Sequence, residues 1–210
     1  MTDVSPESDA PALRSAEDLL WAESSTLHGP AFVKPAGPAP RLILFGAVPV
    51  AVPLCTLARV AGWRPYVVDP RTRFAIRERF PDAERVIADW PREAVAQLGG
   101  IDESTSIAVL THDPTLDDAA LTIALRSTAP FVGAMGSRRS QEARRERLLA
   151  LGLDQEELSR LSGPIGLDLG AVSAEETALS ILAEVVAVRY GREGGRLASS
   201  RRRIHDEVTG

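Results

Sequence analysis

The chain has 210 residues, of which 44% are hydrophobic and 25% charged, and its formal net charge is −5. That length supplies one ordinary globular core and falls short of a typical TIM barrel, which takes about 250 residues. The acidic balance speaks against nucleic acid as a partner, and no apolar run approaches the roughly 18 residues of a membrane span. A single cysteine, Cys55, excludes an intrachain disulfide framework and a CxxC zinc site.

Residues 1–39 read as a flexible segment rich in Pro, Ser, Ala and acids. It lacks the apolar stretch of a secretory signal, so the expected location is the cytoplasm. A short helix is predicted over Ser15 to Glu23, with Leu19, Leu20 and Trp21 apolar, followed by a proline-rich linker from Gly29 to Pro40. The periodic body spans 40–191. Leu42 to Phe45 is a short apolar strand that stops at Gly46. A helix over Val50 to Ala61 follows, with Pro49 and Pro53 tolerable only in its first turn. Trp63 to Val68 is a second strand ending at Asp69, and Val86-Ile87 a third. Pro91 opens a helix through Leu98. Ser106 to Leu110 is a fourth strand, running into Thr111-His112-Asp113, and Leu116 to Arg126 the next helix.

Phe131-Val132 begins a fifth strand that ends in Gly133-Ala-Met-Gly136. Ser137 then caps a basic helix to Leu149, in which Arg144, Arg145 and Arg147 alternate with Glu142 and Glu146 like a solvated, ion-paired face. A short helix over Gln155 to Leu161 leads to the glycine-rich segment Gly163 to Gly170. Ser173 and Glu176 form a capping box that opens a long helix to Tyr190. Residues 192–210 read as a polar flexible tail. Strands that are nearly continuous apolar runs, alternating with helices, imply an α/β fold. The expected architecture is a doubly wound, mainly parallel, Rossmann-like sheet with helices on both faces.

Four places could carry chemistry, all at the expected carboxyl edge of the sheet. The turn Gly46-Ala47-Val48-Pro49-Val50-Ala51 has the first and third positions of a dinucleotide fingerprint. Val48 stands where a second glycine would let the backbone approach a pyrophosphate, and Pro49 removes an N–H. Asp69, after the second strand, stands where an acid would bind a ribose. His112 and Asp113 form the second place, suited to ligand contact, to acid–base work or to a metal site for which they are too few ligands, or else to a loop-capping histidine with Asp113 before Pro114 in a turn. The third is Gly133, Gly136, Ser137 and Arg138, laid out as an anion cradle or as an ordinary capped helix start. The fourth is Gly166 and Asp168, where glycines let the backbone approach a ligand or simply make a tight connection. Cys55 reads as an inert packing residue.

Six segments in order carry a family resemblance: Leu44-Phe-Gly-Ala47, Val67-Val-Asp-Pro-Arg71, Arg79-Phe-Pro-Asp-Ala83, Leu110-Thr-His-Asp-Pro114, Gly133-Ala-Met-Gly-Ser-Arg-Arg139 and Gly163-Pro-Ile-Gly-Leu-Asp168. Together they resemble the C-terminal Rossmann-like domain of the XdhC/CoxI family, over about residues 40–190. The family's members are accessory factors for molybdenum hydroxylases such as xanthine dehydrogenase and carbon monoxide dehydrogenase. The resemblance implies binding of molybdenum cofactor, help in its sulfuration and insertion, and docking on the target enzyme. Two departures stand out: members commonly read Gly-Ala-Gly-His in the first turn, and they carry an N-terminal domain with a cysteine motif. The chain is therefore expected to be a stand-alone C-terminal domain, either working with a separately encoded N-terminal-type partner or a paralogue with a drifted role; a homodimer is a further expected partner. Two other readings remain open: an NAD(P)-dependent oxidoreductase with His112 as its base, and a non-catalytic interaction module whose nucleotide site has decayed.

Overall fold

In the computed structural model, residues 39–201 are described. The helix expected over Ser15 to Glu23, the linker up to Pro38 and residues 202–210 of the tail lie outside them. The described strands are β1 (Arg41–Phe45), β2 (Arg64–Val68), β3 (Arg85–Ile87), β4 (Thr105–Val109), β5 (Phe131–Ala134) and β6 (Leu161–Ser162). They form one sheet in the order β3-β2-β1-β4-β5-β6, with every neighbouring pair parallel. The helices are α1 (Ala51–Val60), α2 (Pro91–Gln97), α3 (Pro114–Leu125), α4 (Arg138–Ala150), α5 (Gln155–Ser159) and α6 (Ala174–Arg189).

The apolar runs are explained by burial on both faces. In β1, Leu42 and Leu44 face a core layer built with Leu54 and Ala58 of α1 and Ile181 and Val185 of α6. Ile43 and Phe45, on the alternate side, face Leu121 and Leu125 of α3 and Leu148 of α4. A strand with period two whose sides are both covered has no polar positions left to show. Pro53 falls in the first turn of α1, where a missing N–H leaves no helical bond unmade.

Two local expectations need correction. The helix expected to run to Leu161 stops at Ser159, and Leu161 and Ser162 pair with Val132 and Gly133 as β6. Arg144 does not lie on a solvated face: it is buried and paired with Asp117 of α3, while Arg147 pairs with Asp118 of the same helix. Within the tail, Leu197–Ser199 forms a single 3-10 turn.

Candidate functional site

Strands β1, β2 and β4 end level, with Phe45 opposite Val68 on one side and Val109 on the other. The chain crosses from one face of the sheet to the other between β1 and β4. Ligands of doubly wound folds bind at such a switch point. Gly46 leaves β1 at φ +120°, and a Cβ there would stand 2.5 Å from Thr111 Cγ2. Only glycine lets this turn lie against the end of β4.

The next N–H, that of Ala47, donates to Asp69 Oδ2 at 2.8 Å. Asp69 is fully buried. Its Oδ1 accepts from the Arg71 backbone N–H at 3.0 Å and from Arg71 Nε at 2.8 Å, and its Oδ2 from Arg71 Nη2 at 2.7 Å. Burial alone would raise the carboxyl's pKa, but the bonds from Arg71 and Ala47 outweigh it and hold Asp69 below its usual range. Both carboxylate oxygens are therefore committed to the protein. In return Asp69 fixes Arg71, whose guanidinium also lies over the Phe74 ring at 4.8 Å.

Across from Arg71 stands the β4 loop. The Thr111 hydroxyl donates to Asp117 and accepts from the Asp113 backbone N–H at 3.2 Å. Asp117 Oδ2 accepts from Arg144 Nη2 at 2.8 Å, and the same Nη2 donates to the Met135 carbonyl at 3.0 Å. Gln141 accepts from Arg144 Nη1 and donates to the Ala134 carbonyl. A buried ion pair thus ties the end of β4 to the end of β5. Burial pushes the Asp117 carboxyl up, and Thr111 and Arg144 oppose that. Asp113 caps α3, its Oδ1 accepting from the Thr115 and Leu116 N–H groups. Between these walls opens a cleft of about 590 Å³ lined by Val48, Arg71, Thr111, His112, Asp113 and Pro114. That volume lies within the range of small-molecule sites.

Of the residues singled out in the sequence, His112 and Asp113 line this cleft, and Gly46, Ala47 and Asp69 stand directly behind its wall. Gly136, Ser137 and Arg138 occupy the next strand end: Gly136 has φ +134°, and exposed Ser137 caps α4 by accepting from the Ser140 N–H at 3.2 Å. Gly133 lies inside β5, where a Cβ would be 2.6 Å from the Ile165 side chain. Gly166 has φ +109°, a Cβ there would stand 2.5 Å from Ser180 Oγ, and its N–H donates to Glu184 Oε2 at 2.5 Å. Asp168 is exposed beside it. Arg71 enters the sequence reading only within the Val67–Arg71 motif and without a role, although it follows an acid by two residues at a strand end, and Thr111 gains a role only here. Cys55 is buried in α1 with its thiol pushed up to about 12, chiefly by burial. Among the described residues, no three His, Cys, Asp or Glu side chains are grouped to hold a metal ion.

An all-parallel sheet in this order, with a glycine turn after β1 and a cleft at the switch point, defines a Rossmann-like domain. The family model described as the XdhC Rossmann domain matches residues 42–185, and the chain belongs to that family. It is 31% identical over 172 residues to a Bacillus subtilis (strain 168) protein named as a probable xanthine dehydrogenase subunit, covering 79% of this chain and 50% of that protein. It is 30% identical over 156 residues to the "Molybdenum cofactor insertion chaperone PaoD" of Escherichia coli (strain K12), covering 74% and 42%. A solved structure, described as a xanthine dehydrogenase from Bacillus halodurans, superposes with a TM-score of 0.64 at 31% identity. That match covers 79% of this chain and 46% of the other. The chain thus spans about half or less of the length of these relatives. No described helix is long and apolar enough to cross a membrane.

Proposed function

We propose that this chain is a maturation factor for a molybdenum hydroxylase of the xanthine dehydrogenase or carbon monoxide dehydrogenase type, and that it holds molybdenum cofactor as cargo. The cargo sits in the switch-point cleft, and the strand-end edge around it docks on the enzyme that receives it. One observation carries the reading: a ligand-sized cleft walled by Arg71, Thr111 and His112, in a chain 30% identical to a named cofactor insertion chaperone. Gly46, Ala47 and Asp69 shape the wall, and His112 and Asp113 face the cargo. Gly133, Gly136, Ser137 and Arg138, with Gly166 and Asp168 beyond them, extend the edge toward the recipient. A separately encoded N-terminal-type protein or a second copy of this chain completes the assembly.

The oxidoreductase reading draws less support from the geometry. Asp69 has no free oxygen for a ribose, and Val48 and Pro49 occupy the turn that would receive a pyrophosphate. The test is calorimetry and thermal unfolding of the purified chain with molybdenum cofactor, NAD(H), NADP(H), AMP and CTP. A ligand at 100 times its dissociation constant stabilises by about 2.7 kcal/mol. Stabilisation by the cofactor, reduced in His112→Ala, is the expected result. Selective stabilisation by NAD(H) or NADP(H) would reverse the ranking, and silence across the panel would favour the interaction module.

A further inference from the structure

The cleft carries an unusual pair of features. On one wall Arg71 is fixed by three means: a bidentate bond to buried Asp69, its own backbone N–H on the same carboxylate, and the Phe74 ring beneath its guanidinium. Among the described residues its Nη1 donates to nothing. A guanidinium whose Nε and Nη2 are held this rigidly presents its remaining edge without losing further side-chain entropy, which suits it to an anionic oxygen pair. The turn after β1, joined to Arg71 through Asp69, is poor in donors. The Gly46 N–H goes to the Val68 carbonyl at 2.8 Å, the Ala47 N–H goes to Asp69, and Pro49 has none. Val48, at the position that must lack a Cβ for close approach to a pyrophosphate, instead lines the cleft.

We propose that the cleft selects a ligand ending in a single phosphate monoester, gripped by Arg71, and rejects pyrophosphate-bridged dinucleotides, with Val48 as the excluding side chain. The inference rests on the cleft being the cargo site. It adds which chemical form of cargo enters and which residues decide.

The experiment is calorimetric titration of the whole chain with two probes, molybdenum cofactor as its phosphate monoester and the same cofactor extended by a nucleotide through a pyrophosphate. Three proteins are compared: the wild type, Val48→Gly, and the double variant Asp69→Asn/Arg71→Gln. The double variant keeps an acceptor for the Ala47 N–H and avoids a lone buried charge, and circular dichroism checks its fold. The wild type is expected to bind the monoester at least tenfold more tightly than the extended form. Val48→Gly narrows that gap by gaining affinity for the extended form, and the double variant loses at least tenfold in monoester affinity. Equal binding of both forms by the wild type, or tighter binding of the extended one, overturns the inference and leaves the maturation role intact. Binding of neither form overturns the maturation reading and the inference with it. If the double variant does not fold, Val48→Gly still decides: an unchanged gap contradicts the role given to Val48.

Discussion

The loops that follow β4 and β6 both lie at the carboxyl edge of the sheet, and both are marked in the sequence by residues that suit a ligand. Their side chains do different work. After β4, Thr111 and Asp113 bond one another and lean on Asp117, and the loop forms one wall of a cleft with Arg71 on the other. After β6, the glycines serve the protein itself. A Cβ on Gly166 would meet Ser180, and one on Gly163 would meet Gln141 at 2.5 Å. The Gly166 N–H and the Ser162 hydroxyl both donate to Glu184, and Ser180 Oγ donates to the Leu167 carbonyl. A glycine therefore signals close approach without saying to what. A charged side chain held rigid with an unoccupied edge is the stronger sign of a ligand.

This contrast can be broken most severely from beneath the β4 loop. Arg144→Met leaves Asp117 buried without its counter-charge, and the expected loss is about 3–5 kcal/mol in urea unfolding. Adding Asp117→Leu to the same protein should restore most of it, because the lone charge is then removed. On the β6 side, Gly166→Ala forces an L side chain to φ +109° against Ser180. It should cost about 1–3 kcal/mol in the same assay and leave cofactor affinity unchanged. Lost affinity there would mean that the glycine-rich loop, too, touches the cargo.

Ser173→Ala removes the Oγ that accepts from the Glu176 N–H at the start of α6, the helix against which the β6 loop packs. About 1 kcal/mol should be lost, again without effect on binding. The least effect concerns pH. Burial opposes ionisation of Asp69, yet the bonds from Arg71 and Ala47 leave its pKa below the ordinary 3.8. Its contribution to stability is complete above 3.8 and is lost as pH falls through the lower folded value. The drop in urea midpoint below that pH should therefore be shallower in Asp69→Asn/Arg71→Gln than in the wild type.

The helix–strand alternation from β1 to β5 is legible in the sequence because the buried parallel strands are mostly apolar and a glycine or proline marks several of their boundaries, while two helices after β5 start at recognisable caps. Ser137 and Ser173 sit at their helix starts as the spacing implies. Strand β6 is not legible, since two residues cannot show a period. The burial of Arg144 is hidden because charge alternation along α4 suggests a wet face. Its position four residues before buried Leu148 is the available signal, as that spacing puts both on one side of a helix. Asp69 stands out for its place at the end of β2. That it holds Arg71 rather than a ribose depends on side-chain geometry, which residue spacing does not encode.

On the function proposed, cargo enters between Arg71 and the β4 loop. Amide hydrogen exchange with and without molybdenum cofactor tests it most directly, because both loops are read in one experiment. New protection is expected at the Val48 amide and across 111–113 and 115, with exchange across 163–173 unchanged. Protection confined to 163–173, with the β1 turn and the β4 loop unaffected, would contradict it.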